Sequence, residues 1–137
     1  MQAIETTLEA TLAEAEAAVR AALKAEGFGV LTEVDVAATL ADALGVHRRA
    51  LKILGACNPA VAHRALELEA SLALVLPCNV VLEDAGGGRT RVAVADPRAL
   101  LVAGGGELAD ADELDELAYD AAVALERAIR RLSPALR

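Results

Sequence analysis

The apolar run at residues 72–82, LALVLPCNVVL, constrains the fold of this chain more than any other segment. Over residues 71–83, both faces of an extended chain would be mostly apolar, which is typical of a central β-strand covered on both sides. Pro77 interrupts the run. Because proline has no backbone N–H to donate to a ladder, we expect a bulge or an edge position there. The sequence therefore predicts a sheet centred on this strand.

The segment before this run contains a clear helix start. Asn58 is followed by Pro59, and Asn is a strong N-cap while Pro is favoured at the first helical position. We therefore expect a short strand at residues 52–56 and a helix that continues to about residue 69. Cys57 would lie at the mouth of this helix, where the macrodipole can lower a thiol pKa.

Local signals place the other elements. The alternating residues 3–9 predict a strand, and the capping-box pair Thr11 and Glu14 starts a helix. Further along the chain we expect a strand at 28–34 and a helix at 36–44, which Asp35 begins and Gly45 ends. A strand at 89–95 follows a glycine-rich hairpin loop. The chain then forms a short helix at 98–102 and a last helix at 112–132, which Ser133-Pro134 ends.

Composition excludes several classes of protein. The chain of 137 residues suits one domain, 1–137, and its net charge of −8 argues against a general nucleic-acid binder. With one Phe, one Tyr and no Trp, there is no aromatic platform for stacking bases. No leader pattern and no apolar run of about 18 residues occurs. We therefore expect a cytoplasmic protein that binds neither nucleic acid nor membranes.

The order of elements predicts an α+β fold, with one sheet and helices on one of its faces. The hydrophobic fraction is 55% and the mean hydropathy is +0.41, which is high for one soluble chain and indicates a buried interface in addition to a core. We expect a second copy to cover the remaining face of the sheet, giving a homodimer.

Four segments together resemble a known family. EGFGVLTEVDVAATL at 26–40, LGACNP at 54–59, LPCNVV at 76–81 and DP at 96–97 are similar to signatures of the bacterial and archaeal domain-of-unknown-function family 302. The resemblance implies a dimeric two-layer α/β sandwich, similar in topology to the TATA-box-binding-protein fold. It also implies the order β-α-β4-α, with the helices at 36–44 and 60–69 inserted between strands. Members often carry Pro-Tyr before the third strand, where this chain has Arg49-Ala50.

The candidate site residues are two Cys-Asn pairs, Cys57-Asn58 and Cys78-Asn79. The cysteines are either buried small apolar residues or a reactive pair, and a parallel arrangement of their strands would bring them together whereas an antiparallel one would offset them. Their spacing is not that of a zinc motif. Asn79, inside an apolar run, either bonds irregular backbone near Pro77 or faces a polar pocket.

Three hypotheses about function remain open at this point. The first is a binding module that holds a small molecule or partner near both Cys-Asn pairs. The second is a thiol protein in which Cys57 acts as a nucleophile, or binds a soft metal together with Cys78. The third is a purely structural dimer. The sequence does not decide whether the protein is an enzyme, and it identifies no cofactor; Cys57 is the candidate catalytic residue, and His63, in the same predicted helix, is a surface residue.

Overall fold

The structure is a computed structural model that describes residues 2–105 and 111–135. Within these ranges the elements are β1 (Ala3–Leu8), α1 (Leu12–Ala25), β2 (Gly29–Asp35), α2 (Val36–Leu44), β3 (Leu51–Cys57), α3 (Pro59–Leu68), a 3₁₀ helix (Ala70–Val75), β4 (Cys78–Gly86), β5 (Arg89–Ala95), α4 (Pro97–Gly105) and α5 (Ala111–Ala135). The predicted β-α-β4-α order is therefore confirmed, with α2 and α3 lying in the connections between strands.

The five strands form one antiparallel sheet in the order β1-β5-β4-β3-β2. The helices α1 and α5 pack on one face, here called the inner face, and the structure is a two-layer α+β sandwich as expected. Side chains from sheet and helices fill the space between the layers in a single apolar core that includes Leu8, Val19, Leu23, Leu54, Val80, Leu82, Val92, Val94, Leu125 and Leu132. The opposite side of the sheet is here called the outer face.

The predicted central strand is only half correct. Residues 78–86 form β4 in the middle of the sheet, but residues 70–75 form a 3₁₀ helix. Leu72 is fully buried in a second apolar cluster with residues of α3, α4 and α5, whereas Leu74 is 88% exposed. One side of this segment therefore packs on helices and the other meets solvent, which is a helical pattern and not that of a strand covered on both sides.

Pro77 produces neither the predicted bulge nor the alternative, a position on an edge strand. It lies immediately before the first residue of β4, so its missing N–H removes no bond from the ladder. The irregularity in β4 lies instead at the other end of the strand, between Asp84 and Gly86. This is the glycine-rich hairpin, where extra residues are accommodated without disturbing the centre of the sheet.

Local helix signals are confirmed at most ends. Thr11 and Glu14 form the capping box of α1, Asp35 caps α2, and Gly45 ends α2 in the left-handed conformation. The predicted stop at Ser133 is wrong, because α5 continues to Ala135. Within the described ranges, none of the helices combines the length and apolarity needed to cross a bilayer.

Candidate functional site

The two cysteines lie at the same end of neighbouring strands. Cys57 is the last residue of β3 and Cys78 is the first residue of β4, and the register pairs Ala56 with Cys78. The expectation that antiparallel strands would offset the cysteines is wrong. In an antiparallel pair the end of one strand lies beside the start of the next, and these residues occupy those two positions.

Both cysteines are free, half-buried and line one small cavity. The cavity measures about 20 Å³, which is room for roughly one water-sized guest. Its wall is apolar apart from the two thiols and Asn58, and is formed by Phe28, Ala56, Cys57, Asn58, Val61, Ala62, Leu76, Cys78, Leu101 and Ala121. An organic ligand of ordinary size does not fit in this space.

Burial, together with the smaller effect of the neighbouring Cys57, raises the pKa of the Cys78 thiol to about 11. A buried thiol without a positive partner favours its neutral form. At neutral pH Cys78 is therefore protonated. This is the protonation state of an inert thiol or of a metal ligand that loses its proton on binding, and it does not suit an attacking nucleophile.

Asn58 acts as the N-cap of α3, as the sequence predicts. Its Oδ1 accepts hydrogen bonds from the backbone N–H groups of Ala60, at 3.1 Å, and Val61, at 3.3 Å. These bonds fix the first turn of α3 beside the cavity. They also occupy the amide oxygen of Asn58 as an acceptor. His63 projects away from this region: its side chain is 78% exposed and its Nε2 lies 3.5 Å from Glu67 Oε1, so it forms no pair with Cys57.

Asn79 lies on the opposite side of the sheet from the cysteine cavity. Adjacent residues of a strand face opposite sides, and Asn79 is exposed on the outer face, opposite Gly55 in the register. It lines a groove of about 320 Å³ whose other walls are apolar: Leu74, Val75, Leu76, Pro77, Ala95 and Leu100. The structure therefore brings Cys57, Asn58 and Cys78 together and places Asn79 in a separate groove.

A ladder of charged side chains crosses the outer face at its other end. Arg91 on β5 contacts Glu5 on β1 at 2.8 Å and Glu83 on β4 at 3.4 Å, and Glu83 also pairs with Arg48. Sequence reasoning missed this ladder, although the alternation of charged and apolar residues in 89–95 was its signal. The centre of the face, between ladder and groove, carries Ile53, Val81 and Ala93.

The fold and the two candidate sites define a small two-layer α+β protein. It has a cavity lined by two cysteines on one side of the sheet, and an outer face with an apolar centre and a groove on the other. The chain belongs to the family described as domain of unknown function DUF302, whose model matches residues 4–132. It is similar to the crystal structure of an uncharacterized conserved DUF302 protein from Bacillus stearothermophilus. That likeness has a TM-score of 0.84 and 26% sequence identity, and it covers 96% of this chain and 98% of that one. No curated protein sequence matches the chain.

Proposed function

We propose that this protein is a homodimeric binding module. A second copy covers the outer face of the sheet, and the groove beside Asn79 holds a small, mostly apolar ligand. The observation that carries the proposal is the outer face itself, where an apolar centre lies next to a groove of ligand size. Isolated apolar residues are ordinary on a protein surface, whereas a continuous apolar area beside a groove is typical of an interaction site.

The side chains of the outer face support pairing with a second copy. Ile53 and Val81 are half-buried neighbours in the register, and Val34 on β2 is 48% exposed beside Ile53. Five strands spaced about 4.8 Å apart and about 20 Å long give a footprint of roughly 500 Å². A standard interface buries about 800 Å² on each partner. Residues at the rim of the outer face must therefore contribute to the interface.

The charges of the outer face also permit self-association. The chain as a whole has a net charge of −8, which opposes contact between two copies over most of the surface. In the ladder, however, two glutamates are matched by two arginines. Two copies that pair through this face therefore bring together areas of balanced charge, and a two-fold axis lets an arginine of one ladder approach a glutamate of the other.

The groove supports the binding of a neutral amphiphilic molecule. Its volume of about 320 Å³ lies at the lower end of the range for small-molecule sites. Six apolar residues form its walls, and the Asn79 amide supplies an NH₂ group as donor and a carbonyl oxygen as acceptor. A ligand with an apolar body and a single carbonyl or hydroxyl group fits this arrangement, and a charged ligand would lack a partner.

The proposal includes a cytoplasmic location. Cys57 and Cys78 are both free, and a reducing compartment keeps thiols in that state. Fractionation of cells that produce the tagged protein tests this point.

Binding of Nile red, a neutral apolar dye, tests the groove. Ala95 lines it, whereas Ala3, its partner in the register, is exposed outside it. We expect Ala95→Leu to fill the groove and to weaken dye binding by about tenfold, equivalent to about 1.4 kcal/mol. The matched control Ala3→Leu adds the same side chain on the neighbouring strand and leaves binding unchanged.

Equal binding by the wild type and both variants would contradict the groove proposal. Failure of the wild type to bind the dye, in a sample that remains dimeric, would favour the purely structural dimer. Thermal unfolding of each variant, followed by circular dichroism, confirms that the comparison is made between folded proteins.

A further inference from the structure

We propose that helix α2 of each copy packs its apolar side against the rim of the other copy's outer face. The inference rests on the proposed homodimer and deepens it, because it identifies the element that supplies the contact area the sheet alone lacks. Three observations support it: the exposure of α2, its position beside the outer face, and the area that a stable dimer buries.

The apolar side of α2 is only partly covered by its own chain. Four residues on this side are half-buried: Val36, Ala37, Leu40 and Ala41. Leu44, one turn beyond Leu40 on the same side, is 69% exposed. None of the nine residues of α2, all of which the structure describes, is buried. Because a helix normally buries its apolar side against another element, this side of α2 is suited to contact with a second chain.

This side of α2 can be buried without removing a charge from water. Asp42 is the charged residue of α2, and it is exposed on the opposite side from Leu40 and Leu44. An unpaired charge is costly to bury. The division of α2 into an apolar and a polar side therefore favours an apolar contact through Leu44 and keeps the carboxylate in solvent.

Exposed apolar side chains are concentrated around α2. In the part of the chain that the structure describes, seven large apolar side chains are exposed, and four of them belong to residues 31–46: Leu31, Val34, Leu44 and Val46. Isolated exposed apolar residues are ordinary, whereas a group of them is typical of an interaction site. Val34 lies beside Ile53 of the outer face, so the group extends from α2 to that face.

Both ends of α2 are joined to the sheet next to the outer face. At its start, Asp35 is the last residue of β2 and caps α2 by accepting a hydrogen bond from the Ala38 N–H at 2.9 Å. After its end, Arg48 pairs with Glu83 of the charge ladder. The helix itself packs against β3. It therefore lies beside the ladder end of the outer face, within reach of a second copy placed on that face.

The area of a stable dimer requires an additional element of this size. The sheet offers a footprint of roughly 500 Å² per copy, against about 800 Å² in a standard interface. A helix of nine residues is about 13 Å long and about 11 Å wide, so its contact covers roughly 150 Å². In a two-fold dimer each copy contributes one α2 and receives the other. These two contacts supply the roughly 300 Å² per copy that the sheet lacks.

The dissociation constant of the dimer, measured by analytical ultracentrifugation, tests the inference. Leu44→Glu places a charge on the apolar side of α2. We expect it to raise the dissociation constant by about 100-fold, because a two-fold dimer buries the substitution twice. Leu66→Glu is the matched control: Leu66 is also an exposed leucine of a helix, but α3 packs on α5 in the helix layer, so the dissociation constant should stay unchanged. Circular dichroism shows whether both variants are folded.

Hydrogen exchange of the α2 amides gives a second readout. Val81→Lys, which places a charge on the outer face, separates the two copies if they pair through that face. We expect the α2 amides to exchange about tenfold more slowly in the wild type than in Val81→Lys, because contact with the partner suppresses local opening of the helix. The amides of α1, on the inner face, should exchange equally in both proteins.

Two results would overturn the inference and leave the homodimer intact. One is a Leu44→Glu variant that dimerises as tightly as the wild type. The other is exchange of the α2 amides at the same rate in the dimeric wild type and in a monomeric Val81→Lys variant: equally slow exchange would show that α2 is covered by its own chain, and equally fast exchange that the partner does not contact it. A wild type with the mass of one chain would instead contradict the homodimer itself, and this inference with it.

Discussion

At the scale of single residues, one position along a strand decides which site a side chain belongs to. Cys78 lines the cavity on the helix side, while Asn79, the next residue, lines the groove on the outer face. From the sequence we predicted one candidate pocket near both Cys57-Asn58 and Cys78-Asn79. Strand residues alternate between the two faces of a sheet. Because Cys78 begins β4, Cys78 and Asn79 must lie on opposite faces and cannot line the same pocket.

The protonation of Cys78 gives a prediction for stability against pH. The pKa of this thiol is raised in the folded protein to about 11, so the folded state holds the proton more tightly than the unfolded chain does. The stabilisation is complete below the ordinary thiol pKa of about 8.5 and is lost as the pH rises toward 11. We expect the free energy of unfolding to fall by about 2–3 kcal/mol more in the wild type than in Cys78→Ala over this range.

Urea titrations at pH 8, 9.5 and 11 measure this difference. Other groups titrate in the same range, including Lys52, whose pKa is raised by hydrogen bonds to Glu16 and Glu33. Both proteins share these groups, so the difference between the two curves isolates Cys78. Parallel curves for the two proteins would show that burial of Cys78 does not control its ionisation.

At the scale of elements, local signals predicted helix ends well. The capping box at Thr11 and Glu14, the cap at Asp35 and the Asn58-Pro59 start all form as expected, because each depends on contacts within one turn. The end of α5 is an exception, since the helix continues past Ser133.

The apolar run at 72–82 could not be assigned correctly from its pattern alone. Leucine and valine at most positions satisfy both a strand and a helix, and short apolar runs are ambiguous in this way. The decision depends on α3, α4 and α5, which enclose Leu72 in the second cluster. The side-chain bond from Ser71 N–H to Glu69 Oε1 caps the 3₁₀ helix, and it is the local signal that would have found this helix.

The packing of β2 against β3 gives a prediction that depends on one glycine. A Cβ atom on Gly55 would overlap the Thr32 hydroxyl and would lie 2.9 Å from Pro77 Cγ. We expect Gly55→Ala to lower the free energy of unfolding by about 1–3 kcal/mol, as overpacking does. Gly29→Ala is the matched control, because a Cβ there meets nothing within 4 Å and a strand alanine is tolerated.

Urea unfolding of both variants measures these effects. Combining Gly55→Ala with Thr32→Ala removes the overlapping hydroxyl and should restore part of the loss, a coupling that a double-mutant cycle detects. Equal stabilities for Gly55→Ala and Gly29→Ala would show that the contact between β2, β3 and Pro77 is looser than described.

At the scale of the whole molecule, the sheet has two unlike faces. The inner face packs on α1 and α5 and forms the core, while the outer face holds a charge ladder, an apolar centre and the Asn79 groove. The sequence predicted the two layers and an uncovered face from the order of elements and the hydrophobic excess. The ladder and the groove could not be derived from it, because they join residues from several strands whose register was unknown.

The mass of the protein in solution tests the central claim, the homodimer, most directly. By light scattering at micromolar concentration, we expect the wild type to have twice the chain mass of 14.1 kDa. Val81→Lys places a charge at the centre of the outer face and should give the mass of one chain, since an unpaired charge is costly to bury. Ala17→Lys, at an exposed position of α1, is the matched control and should remain a dimer. A wild-type mass of one chain, or a Val81→Lys variant that stays dimeric, would contradict pairing through the outer face.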